Sequence, residues 1–174
     1  MTTTGARARL ERDVSGIVGK QFIYTYDALG WRYELYVRAE TVVDYRVHVG
    51  KMGGRWVTGQ AIDLARLDTD TYKISWIGPT GSALSLTVMP ARRILHGVIF
   101  GPRWAEDDPE PMIGYQNERL AQIVAARDQG PTYPIHMFGG FATITYLADR
   151  GPGDITVIAC APEDLPEGYA TRTN

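Results

Sequence analysis

Between residues 19 and 116 this 174-residue chain is a succession of short segments in which apolar and polar side chains alternate, separated by breaks of a few residues. Successive side chains of a strand point to opposite faces, so this alternation marks strands with one buried and one solvated face. In WRYELYVRA, residues 31–39, Trp31, Tyr33, Leu35 and Val37 share one parity while Arg32, Glu34 and Arg38 share the other, and Tyr36 alone breaks the polar row. TVVDYRVHV (41–49), RWVTGQAIDL (55–64), TYKISWI (71–77), SALSLTVM (82–89) and RILHGVIF (93–100) follow, with Gly, Pro or Asp between them. Parallel neighbours need crossovers of a dozen or more residues, so these closely spaced strands imply antiparallel hairpins. A sheet of this many strands removes its edges by closing on itself. The expected body is all-β, a closed antiparallel barrel.

One helix is expected beside it. Asn117 is placed to cap ERLAQIVAARDQ (118–129), where Leu120, Ile123, Val124 and Arg127 follow helical spacing and Gly130-Pro131 is a stop signal. The apolar stripe is narrow, so the helix is expected against the outside or one end of the sheet. FATITYL (141–147) and DITVIACA (154–161) read as two further strands, with Cys160 a buried residue of the second. The chain thus reads as a single domain over 14–162, with a mobile arm at 1–13 and a tail at 163–174 that offers little to bury.

Charge and composition remove several classes of function. Eighteen Lys and Arg against twenty Asp and Glu give a net charge of -2 and a pI near 5.9, which is not the basic footprint of a nucleic-acid partner. One cysteine allows no internal disulfide. No window approaches the roughly 18 apolar residues of a membrane span, and MTTTGARARLERD lacks the apolar centre of a signal peptide. The expectation is a cytoplasmic protein with no membrane association. There is no P-loop, dinucleotide fingerprint, G-x-S-x-G or H-E-x-x-H, and His48, His96 and His136 lie at no metal-ligand spacing, so neither cofactor nor metal is indicated.

Inward-facing polar residues of a small barrel are its candidate site. FIYTY, residues 22–26, puts Tyr24 and Tyr26 on one face of a strand. They are either core residues or a pair of hydrogen-bond donors aimed into the barrel. Arg46 and Arg55 also fall within strand patterns, where a cation reaches solvent or meets an anion. Arg46 reads as outward-facing. For Arg55 both readings stand, because Gly53-Gly54 before it suggest a bulge or close backbone approach that re-aims the next side chain. An inward guanidinium beside two phenols would match a carboxylate.

The run GKQFIYTYDALGWRYELYV, then DYRVHVGKMGGRWV, YKISWIGPTG, MPARRILHGVIF, YQNE and TYP resembles the phenolic acid decarboxylase family over about residues 16–162. The resemblance implies a flattened, lipocalin-like barrel, usually homodimeric, that removes carbon dioxide from 4-hydroxycinnamic acids without a cofactor. It assigns carboxylate handling to Tyr24, Tyr26 and Arg55, and implies a substrate pocket that includes Trp31, Tyr33, Ile77, Gly78 and Gly140. Two family glutamates are absent, one replaced by Gly78 in Trp76-Ile77-Gly78-Pro79, the other falling at Gly139-Gly140. The first is assigned to proton transfer or substrate positioning, the second, with Tyr33, to the para-hydroxyl end. Their loss is expected to open volume away from Arg55 and to alter the substrate. Tyrosine, Asp44 or His48 could stand in if inward. Two alternatives follow: a diverged cofactor-free cyclase, dehydratase or isomerase, and a non-catalytic binder of small aromatic acids.

Overall fold

The computed structural model describes residues 13–174; the arm expected at 1–13 lies, apart from Asp13, outside them. Nine antiparallel strands form one sheet: β1 (Lys20–Tyr26), β2 (Arg32–Ala39), β3 (Val42–Val49), β4 (Trp56–Ala61), β5 (Asp63–Asp68), β6 (Thr71–Ile77), β7 (Ala83–Met89), β8 (Ile94–Gly101) and β9 (His136–Asp149). Two helices, α1 (Arg103–Asp107) and α2 (Gln116–Gln129), lie between β8 and β9. The spatial order is β4-β3-β2-β1-β9-β8-β7-β6-β5, so β4 and β5 are the two edges. Only Ile62 separates them in the chain. Two peptide steps span at most about 7.6 Å, so the sheet curls until its two edge strands join at this corner, with no ladder between β4 and β5 among the described residues. RWVTGQAIDL is therefore two strands, and its break is the seam of the barrel.

The interior is filled by the expected parity. Phe22, Tyr24 and Tyr26 of β1, Leu35 and Val37 of β2, Ile74 and Trp76 of β6 and Leu86 and Val88 of β7 share one core. Gly97 of β8 belongs to this packing, since a side chain there would collide with the Tyr26 hydroxyl.

DITVIACA is not a strand. This apolar segment instead lies across the outer face of the sheet, where Val157 and Ile158 pack on Tyr36. The Tyr36 hydroxyl donates to the Gly151 carbonyl at 2.6 Å and accepts from the Asp154 N–H at 3.0 Å. This cover explains the tyrosine in the polar row. Cys160 is half-buried outside any strand, its Sγ facing Arg46. The tail is docked as well, with Arg172 over the Tyr146 ring at 4.1 Å and the Asn174 side chain donating to the Leu147 carbonyl at 2.8 Å.

Helix α2 begins one residue before Asn117, which caps nothing; its amide instead donates to the Thr58 carbonyl at 3.3 Å. The helix buries Gln116 and Ile123 against the barrel end, while Leu120 stays exposed.

Candidate active site

The β3–β4 hairpin determines where Arg55 goes. Gly54 has φ +93°, which a residue with a side chain rarely adopts, and its N–H donates to the Val47 carbonyl at 3.0 Å. The loop folds back and Arg55 enters the barrel, only 5% exposed. Its Nη1 donates to the Met112 carbonyl at 2.8 Å, its Nη2 to Gln116 Oε1, and its Nε to the Tyr45 hydroxyl at 3.4 Å. All three partners are neutral. Among the described residues no carboxylate pairs with it.

Arg46, on the same hairpin, is the control. It faces out of the barrel as expected, yet lies only 2% exposed beneath the C-terminal segment. Its Nη1 donates to both oxygens of the fully buried Glu34 at 3.0 and 3.1 Å, and its Nε to the Cys160 carbonyl at 2.8 Å. His48 Nε2 donates to Glu34 at 2.9 Å, since a carboxylate only accepts. Asp44 accepts from the Gly59 N–H at 2.6 Å and from Arg38 at 3.1 Å. Asp44 and His48 are engaged on the outer face, not inward. A buried ion without a counter-ion costs several kcal/mol, which hydrogen bonds to neutral groups offset only in part. Arg46 is a structural cation with its counter-ion in place; Arg55 has only neutral partners among the described residues.

Two adjoining cavities share Tyr33, Met52, Ser82 and Ile99 as walls. The deeper, about 70 Å³, is also lined by Arg55, Tyr45, Trp76, Gly78 and Thr80. The outer, about 240 Å³, adds Trp31, Phe138 and His136, with Lys51 and Glu106 paired at 2.5 Å. Glu106 is the one carboxylate on either wall among the described residues.

Tyr33 and Arg55 therefore meet at the deep cavity, whereas Tyr24 and Tyr26 line neither. They lie directly behind: the Tyr33 ring stacks on Tyr24 at 5.6 Å and meets Tyr26 edge-on at 5.8 Å. Burial pushes the Tyr24 phenol well up, and Tyr26, Tyr33 and Tyr45 add to it. Burial alone raises Tyr26. Tyr33 is raised by burial, then by Tyr26 and Tyr45, with Arg55 partly opposing. All three phenols are donors at neutral pH.

The other expected residues divide. Trp31 and Gly78 are on cavity walls. Ile77 is not: it is 73% exposed on the outer face, and the wall residue is Trp76, as the alternation of β6 requires. Gly140 opens no volume, because Phe138 leans over it; a Cβ there would lie 3.2 Å from the Phe138 ring and 3.7 Å from Tyr26. Tyr45 is legible only from the parity it shares with Val43 and Val47, and Gln116 gives no signal beyond its place in YQNE.

The sequence profile of the phenolic acid decarboxylase family matches residues 14–172. The chain belongs to the phenolic acid decarboxylase family. A relative named probable phenolic acid decarboxylase in Vibrio cholerae serotype O1 is 48% identical over 162 residues, covering 92% of each chain. The phenolic acid decarboxylase PadC of Bacillus subtilis (strain 168) is 38% identical over 149 residues, 86% of this chain and 92% of that one. The barrel and its buried arginine are thus those of a family member whose cavity walls carry a glycine at 78.

Proposed function

We propose that the protein is a cofactor-free carboxy-lyase acting on a 4-hydroxycinnamate-like or other unsaturated acid, with Arg55 holding the carboxylate. The observation that carries this reading is a buried guanidinium that has no carboxylate partner among the described residues and stands on the wall of a mostly apolar cavity. The names of the Vibrio and Bacillus relatives support the reaction class. Tyr33 donates beside Arg55, and Tyr24 and Tyr26 back it directly. In such a reaction a proton adds to the alkene carbon bearing the carboxylate while the phenol loses one, giving a quinone-methide intermediate. The bond to the carboxyl carbon then breaks, carbon dioxide leaves, and its electron pair restores the ring and the alkene. Raised phenol pKa values keep Tyr24, Tyr26 and Tyr33 protonated, so they act as neutral hydrogen-bond donors and not as bases. No carboxylate among the described walls of the deep cavity stands beside Arg55 to pass a proton to the alkene carbon, so simple hydroxycinnamates should turn over slowly.

That same lack of an acid or base favours a second reading, in which the cavity carries out another cofactor-free step or only binds aromatic acids. Incubation with p-coumarate, ferulate and caffeate, followed by loss of ultraviolet absorbance, separates them. Turnover of at least one is expected; none with all three, together with saturable tryptophan quenching, would favour the second reading.

The protein is also read as a cytoplasmic homodimer. The outer face of β6, β8 and β9 supports pairing, since Ile77, Phe100, Met137 and Phe141 are all exposed there. Phe141→Arg should then yield monomers in sedimentation; an unchanged mass would place any pairing elsewhere.

A further inference from the structure

Gln116 is buried, 5% exposed, and it is the first residue of α2. Arg55 has donors only, so the oxygen of the Gln116 amide must face its Nη2. The surrounding segment is fixed to β4, the strand that follows Arg55 directly. The Trp56 N–H donates to the Gly114 carbonyl at 3.0 Å, the Trp56 and Tyr115 rings stack at 3.9 Å, and the Thr58 and Tyr115 hydroxyls bond at 2.7 Å. Gln116 is therefore held rigidly against the guanidinium, which it can orient.

Its neutrality is the informative property. A glutamate has the same reach and the same acceptor geometry and would satisfy a buried guanidinium better. It would also cancel the charge that an incoming acid needs. With Met112 supplying a carbonyl and Tyr45 a hydroxyl, every partner orients Arg55 without neutralising it. Five N–H donors with three so engaged leave two for a ligand.

Resting on the reading that Arg55 holds the substrate acid, we propose that Gln116 is a positioning residue, one that aims the Arg55 guanidinium at the substrate carboxylate while leaving its charge uncompensated.

The test compares Gln116→Glu, Gln116→Met and Arg55→Ala, with p-coumarate and its uncharged methyl ester as probes, by tryptophan quenching and steady-state kinetics. Gln116→Glu should weaken p-coumarate binding about 30-fold or more, a typical effect of cancelling one close charge pair. It should leave ester binding within about twofold and the melting temperature unchanged or higher, because a new ion pair forms. Gln116→Met removes only the orienting bond, so p-coumarate should weaken by a smaller factor, about 3- to 10-fold. A purely structural role would lower the melting temperature and weaken acid and ester alike, which would overturn the proposal. So would unaltered acid affinity in folded Gln116→Glu while Arg55→Ala loses it. If Arg55→Ala also binds acid and ester as the wild type does, the carboxylate reading itself fails, and the role proposed for Gln116 fails with it.

Discussion

Replacing Gly78 by glutamate tests whether the missing carboxylate limits the chemistry. Gly78 does not have a positive φ, and a Cβ there meets Thr80 Oγ1 at 3.6 Å, Gln60 Oε1 at 3.9 Å and the Ser82 carbonyl at 4.0 Å, all ordinary contacts. The side chain points to the same face as Trp76 and shares the deep cavity with Arg55. That cavity, about 70 Å³, is several times the space one water needs and takes a carboxylate head. A well-placed acid or base contributes about 10²- to 10⁴-fold, or roughly 3 to 5 kcal/mol of barrier. Part of this is offset, because a carboxylate near Arg55 competes with the substrate's own; at about 1.4 kcal/mol that raises KM about tenfold. The expected result for Gly78→Glu is therefore a kcat on p-coumarate at least about tenfold higher, with a higher KM. Gly78→Gln adds the same volume without an ionisable group and should give no such gain. A folded Gly78→Glu protein with unchanged or lower kcat, or an equal gain from Gly78→Gln, would refute the reasoning.

Other perturbations separate scaffold from site. Glu34→Gln leaves Arg46 buried without its counter-charge and should cost about 3 to 5 kcal/mol, read as a large fall in melting temperature with KM little changed. Burial pushes the Glu34 carboxyl up, but hydrogen bonding from His48, the Arg46 charge and the Tyr169 and Gln21 bonds outweigh it and hold the group below its ordinary 4.5. A lowered carboxyl pKa stabilises the fold above the unfolded value, and that stability is lost as pH falls through the folded one. The docked tail should therefore loosen only below about pH 4.5, seen as amide-exchange protection at Tyr169 falling there and not at pH 5 to 7. Tyr24, Tyr26 and Tyr33 are raised above 10, so they stay protonated across neutral and mildly alkaline pH. Affinity for a carboxylic acid should be flat from about pH 6 to 9; an alkaline loss in that range would show that one of these phenols ionises there.

The barrel was legible because alternation is a local property: each strand of the hairpin series carries its own inside and outside. The seam was not, since RWVTGQAIDL alternates through Ile62 and only the strand order shows that two edges meet there. DITVIACA misled for a related reason. Its apolar residues cover a sheet face rather than extend a sheet, and the odd Tyr36 was the trace of that cover in the sequence. Pattern separates Arg46 and Arg55 only in part, outward for one and open for the other, because the distinction lies in the partners each meets, Glu34 for one and neutral groups for the other. Ile77 was an avoidable miss, since its neighbour Trp76 already takes the inward parity. Gly140 was read as open space because a missing side chain says nothing of which neighbour, here Phe138, moves over it.

The central claim is that Arg55 receives the carboxylate of the bound acid. A crystal structure with 3-(4-hydroxyphenyl)propanoate, which has no alkene to protonate, tests it directly. The carboxylate is expected within about 3.2 Å of an Arg55 Nη atom and a tyrosine hydroxyl, with the ring toward Trp31 and Phe138 in the outer cavity. A ligand whose acid sits at Lys51, with its phenol or nothing at all against Arg55, would contradict it.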